Sequence, residues 1–123
     1  MDLEILRASS AGIIAESPVS VLIHRIEYTD DGVGGRAETE TFPPAFTGRL
    51  VPRAQGRRTQ AEAGIAAIDS LLLLAPWDAD VRAGSDVEDT FELAGHRYRI
   101  TIVTPRTWQR SVYSIHAEVE EVS

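Results

Sequence analysis

A chain of 123 residues with 43% apolar side chains is long enough for one domain with a real core and too short for two. A net charge of −7 argues against general binding to phosphate backbones, and the absence of cysteine excludes disulfides, thiolate nucleophiles and zinc–sulfur sites. All 12 basic residues are arginine, so Schiff-base and Walker-type lysine chemistry is excluded as well.

Along the chain, residues 1–17 read as an N-terminal arm. Leu3, Ile5 and Leu6 allow one short helical turn, whereas Gly12-Ile13-Ile14 reads as extended. The start lacks the basic residues and long apolar centre of a secretory signal, and no apolar run approaches the roughly 18 residues that cross a bilayer. The expectation is a cytosolic product with no membrane partner.

After Pro18, Val19 to Tyr28 reads as a strand, with Val19, Val21 and Ile23 on one face and Leu22 and Ile26 on the other. Asp30-Asp31-Gly32-Val33-Gly34-Gly35 has the composition of a hairpin turn. A second strand is expected over Glu38–Phe42 until Pro43-Pro44, and a third over Phe46–Val51. The next segment has no sheet periodicity and reads as a long loop over 52–64. Order resumes over Ile65–Leu74 and stops at Ala75-Pro76, since proline lacks the amide a ladder needs.

Phe91 and Leu93 then share a face, Gly95-His96 turns the chain, and Tyr98, Ile100 and Ile102 alternate with polar neighbours. Pro105–Arg110 reads as a turn carrying Trp108. A last strand over Ser111–Val122 sets Tyr113, Ile115, Ala117 and Val119 against Ser114, His116, Glu118 and Glu120. Six short strands without a long helix predict an all-β fold, a small antiparallel barrel spanning 18–123 with one inserted loop.

The chemical inventory is thin. Asp78, Asp80, Asp86, Glu88 and Asp89 form an acidic cluster, but Arg82 and Ala83 stand where a calcium loop needs an oxygen ligand and a glycine. Turn capping by Asp78, Asp80 and Asp86 is the simpler reading. His24, His96 and His116 are spread over three elements, and no Gly-x-Ser-x-Gly elbow accompanies them. No catalytic residue, cofactor or metal site is therefore expected.

Arg49, Arg53, Arg57 and Arg58 place four cations within ten residues of an acidic chain, the one local reversal of sign. They are candidate contacts to phosphate or to a neighbouring copy. Trp77 and Trp108 sit in expected turns, as core lids or interface anchors.

The order of elements resembles the head-closure, or stopper, proteins of long-tailed bacteriophages. The likeness rests on Val19-x-Val21-x-Ile23-x-Arg25, on Pro43-Pro44-x-Phe46-x-Gly48-Arg49-Leu50, on Trp77-Asp78-Ala79-Asp80, and on Gly84-x-Asp86 followed by Phe91, Gly95 and Tyr98-Arg99-Ile100. It spans residues 13 to 122. The resemblance implies a non-enzymatic neck protein of the virion, forming a dodecameric ring below the portal and adaptor, closing the DNA-filled head and docking the tail. It also implies non-specific contact with packaged DNA. A tail-terminator or tail-completion ring is the nearest alternative. Readings from other classes are a small metal-dependent hydrolase using Asp78, Asp80 and His96, and a nucleic-acid-binding barrel using Arg57 and Arg58.

Overall fold

A computed structural model describes residues 2–52 and 71–122. Eight antiparallel strands follow one helix: α1 (Leu3–Ala15), β1 (Val19–Val21), β2 (His24–Asp30), β3 (Arg36–Thr41), β4 (Phe46–Pro52), β5 (Leu71–Ala75), β6 (Val87–Leu93), β7 (His96–Trp108) and β8 (Ser111–Val122). The sheet order is β1-β4-β5-β8-β7-β6-β2-β3, curled into a half-barrel with β1 and β3 at its edges. The all-β antiparallel expectation holds. The barrel is half-closed, and eight strands replace six. The expected loop over 52–64 lies outside the described residues except for Pro52, which ends β4, and residues 65–70 lie outside them too.

The extended N-terminal arm is corrected to a helix. Asp2 caps it, its carboxylate accepting the Ile5 amide at 3.0 Å, and Glu4 lies in the first turn. Leu3, Leu6, Arg7, Ser10 and Ile14 recur at helical spacing, and these are its less exposed positions. That face docks on β8 and β4: Ser10 bonds Ser114 at 3.0 Å, and Ile14 is buried. Gly12, a poor helix former, obscured this periodicity.

The first expected strand breaks at Leu22–Ile23 into β1 and β2, which pair with different partners, β4 and β6. The Asp30–Gly35 turn forms as read. The Asp31 carboxylate accepts the amides of Val33 at 2.9 Å and Gly35 at 3.0 Å, which lower its pKa. In β4, Gly48 is required by close approach, because an added Cβ would meet the Leu74 carbonyl oxygen at 2.8 Å.

The core comprises Val21, Ile23, Leu73, Val81, Phe91, Tyr98, Ile100, Ala117 and Val119. Phe91 and Tyr98 are register partners with stacked rings, centroids 5.4 Å apart. Ile102 departs from its expected face. Ile100 pairs with Val119 and Ile102 with Glu118, so Thr101 is an extra residue in β7. This bulge reverses the facing, leaving Ile102 50% exposed and turning Val103 onto the core.

The expected Pro105–Arg110 turn is also corrected. β7 runs to Trp108 and reverses only at Gln109-Arg110, so Trp108 ends a strand. Pro105 is tolerated because β6 pairs with β7 only up to Arg99. β5 likewise pairs with β8 only from Ile115 onward. The last part of β7 and the start of β8 therefore form a two-stranded ribbon that no third strand extends, with α1 bonded to its β8 strand.

Candidate functional site

Two features stand out: an ionic clamp inside the half-barrel, and a pair of hairpins at one end of it. The clamp arises from strand parity. Arg25 falls on the same face of its chain segment as Val21 and Ile23, and Asp89 on the same face of β6 as Phe91. Both charges therefore point inward, and the register sets them directly opposite one another. Arg25 is 3% exposed and Asp89 fully buried.

The guanidinium grips Asp89 through two parallel bonds, Nε to Oδ1 at 2.8 Å and Nη2 to Oδ2 at 2.9 Å. It also donates to both Asp80 carboxylate oxygens, at 3.1 and 3.0 Å, and to the Asp80 carbonyl at 3.2 Å. Asp89 accepts the Arg82 amide at 2.7 Å. The Arg25 pKa is raised, first by its bond to Asp89 and against the effect of burial, with Asp80 adding to the rise. Asp80 is held below the usual carboxylate range by its bond to Arg25 and by the charges of Arg25 and Arg82. This network ties the segment between β5 and β6 to β2 and β6.

The expected turn-capping role of Asp80 thus gives way to ion pairing, and Asp80 is not free to serve a metal. Among the described residues, no group of three or more His, Asp or Glu side chains is placed to hold a metal ion. His96 pairs with Glu121 at 2.6 Å, and His24 pairs with Glu40 and stacks on Phe42. His116 has its pKa lowered by burial and then by the charge of Arg106.

The singled-out cations and tryptophans have separate fates. Arg49 on β4 is engaged within the chain: it donates to the Ile13 carbonyl at 2.9 Å and to Glu16 at 3.1 Å, closing the C-terminus of α1. Arg53, Arg57 and Arg58 lie outside the described residues. Trp77 lies under the Arg7 guanidinium, 3.6 Å from the ring centroid, and Arg7 also donates to the Val112 carbonyl at 2.9 Å. Trp77 therefore anchors α1 beside the start of β8. Trp108 stands near the ribbon tip, 39% exposed, between Arg106 and Arg110 in sequence.

At the same end of the sheet, the β2–β3 hairpin frames an open cleft of about 300 Å³ lined by Tyr28, Thr29, Asp30, Gly34, Gly35, Arg36 and Asp86. Arg36 lies over the Tyr28 ring at 4.5 Å and donates to the Ser85 carbonyl at 3.1 Å. Tyr28 has its hydroxyl pKa raised by burial and then by Glu88 and Glu38, which marks a negative local field.

The reading from sequence missed the clamp and the basic ribbon tip. Parity was the signal for the clamp: an arginine and an aspartate in the apolar register of two strands can be buried only as a pair. The tip was hidden because Pro105 suggested a turn. No family model matches this chain, and no curated protein and no solved structure matches it.

Proposed function

We propose that this chain is a structural neck protein of a tailed bacteriophage, assembling as a ring of copies that closes the DNA-filled head and receives the tail. The sequence likeness to head-closure proteins supplies the phage context. The observation that carries the reading is the division of labour among its polar groups. Arg25, Asp80 and Asp89 are engaged in holding the half-barrel together, while the exposed features are interface material: an open β3 edge, a two-stranded ribbon and a tryptophan between arginines. Such a molecule works through shape and contact.

Electron microscopy of virions assembled without this chain tests the reading. The expected result is filled or leaking heads without tails, restored by supplying the chain in trans. Normal tailed particles would overturn it.

A further inference from the structure

The β7–β8 ribbon presents the clearest unpartnered charge in the described chain. Residues 101–114 contain Arg106 and Arg110 and no acidic residue, within a protein of net charge −7. Among the described residues, neither arginine has an ion-pair partner. A two-stranded ribbon is marginal by itself; α1 supports its β8 strand through the bonds of Arg7 to the Val112 carbonyl and of Ser10 to Ser114, while Trp108 beside the turn remains 39% exposed.

Its turn carries a second signal. Gln109 and Arg110 adopt φ of 52° and 71°, a two-residue turn that favours Asn-Gly. An arginine in that conformation costs roughly 1 kcal/mol relative to glycine, a strain that stability alone does not explain.

The complementary surface is the cleft of the β2–β3 hairpin. Its lining sets two carboxylates, Asp30 and the exposed Asp86, against one cation, Arg36, which is held in place by the Tyr28 ring and the Ser85 carbonyl, and Glu38 on β3 adds a third negative charge nearby. The tip and the cleft lie at the same end of the sheet but are separated by the position of β6, two strand spacings or roughly 10 Å. Within one chain they form no ion pair among the described residues.

We propose that the Arg106–Trp108–Arg110 tip of one copy docks in the Tyr28–Asp30–Asp86 cleft of a second copy, with Trp108 as the apolar anchor and the arginines against the acidic rim. Opposite charge selects another copy as the occupant: the same acidic chain that supplies the cleft also supplies a basic finger to fill it. Because the two surfaces differ, copies join either reciprocally about a two-fold axis or head to tail, and only the latter closes a larger ring. The inference deepens the neck reading by naming the contact between copies, but its test does not depend on virions.

Light scattering and sedimentation of the full chain, over a concentration series at low and high salt, provide that test. Self-association weakened by salt is expected. Arg106→Glu with Arg110→Glu, Trp108→Ala, and Asp86→Arg with Glu38→Arg should each weaken it by about tenfold or more, with circular dichroism unchanged. Mixing the tip double variant with the cleft double variant should restore association as a heteromer. Arg110→Gly should melt at higher temperature yet associate more weakly, a split that a purely structural turn would not produce.

A wild-type chain that stays monomeric, tip variants that associate like wild type, or a charge-swapped mixture that fails to combine would each overturn the inference. So would tip variants that lose duplex-DNA binding while self-association is unchanged. A reciprocal dimer would support the contact and count against the ring, whereas normal virions from a contact-deficient chain would count against the neck role alone.

Discussion

At the scale of single residues, the clamp is the most consequential feature. Arg25 and Asp89 are both buried and joined by two parallel bonds, so removing either leaves the other charge uncompensated in the core. Arg25→Met should cost about 3–5 kcal/mol in denaturant melts, and the double replacement Arg25→Met with Asp89→Leu should recover much of that loss. A double variant no better than the single one would show that the pair acts through more than charge compensation. Asp80 gives the pH dependence. Its folded-state pKa lies below its ordinary 3.8, so its contribution is complete above that value and is lost as pH falls through the folded pKa. Asp80→Asn should therefore be less stable at neutral pH and lose less stability on acidification, read from melts taken between pH 7 and 2. Gly48→Ala drives a methyl group against the Leu74 carbonyl, and a loss of about 1–3 kcal/mol is expected by thermal melt.

At the scale of elements, two tight turns are built on unfavourable residues. Leu93 pairs with His96 across Ala94-Gly95, with φ of 54° and 83°. Ala94→Asn suits that conformation and should stabilise the protein by about 0.5–1 kcal/mol, measured by chemical denaturation. Gln109-Arg110 shares the geometry, but there the same improvement is expected to weaken association. The strands were legible where alternation held without interruption. β8 matches its expected bounds because its inward residues, Ile115, Ala117 and Val119, alternate against one continuous core. β7 was legible as far as Ile100, where the Thr101 bulge changed the facing, and a bulge has no distinctive side chain to announce it. The helix was legible only in retrospect, since its buried stripe mixes Leu3, Leu6 and Ile14 with Arg7 and Ser10, which earn their place by bonding to β8.

At the scale of the whole molecule, connectivity sets what each terminus contributes. β8 lies in the middle of the sheet between β5 and β7, although it comes last in the chain. Folding must therefore close long-range pairings before the core is complete. Removing residues 116–123 should abolish cooperative unfolding, because it deletes Ala117 and Val119 from the core and most of the β5–β8 ladder. Removing residues 1–16 should leave a cooperative but lower melting transition, because α1 covers the outside of a sheet already formed. Circular dichroism melts of the two truncations check the contrast.

The sequence by itself determined the class of this protein: antiparallel strands, the turn at Asp30–Gly35, a turn at Gly95 that the structure places over Ala94-Gly95 instead of Gly95-His96, and most of the inward-facing residues. Those follow from alternation and turn chemistry, which act over a few neighbours. Only the tertiary structure decided the partners: which strands adjoin, that Arg25 meets Asp89 and Asp80, that Arg49 closes a helix, and that the end of β7 belongs to a two-stranded ribbon. Pairings between distant residues depend on register and curvature, and a single bulge at Thr101 is enough to turn Ile102 outward and Val103 onto the core.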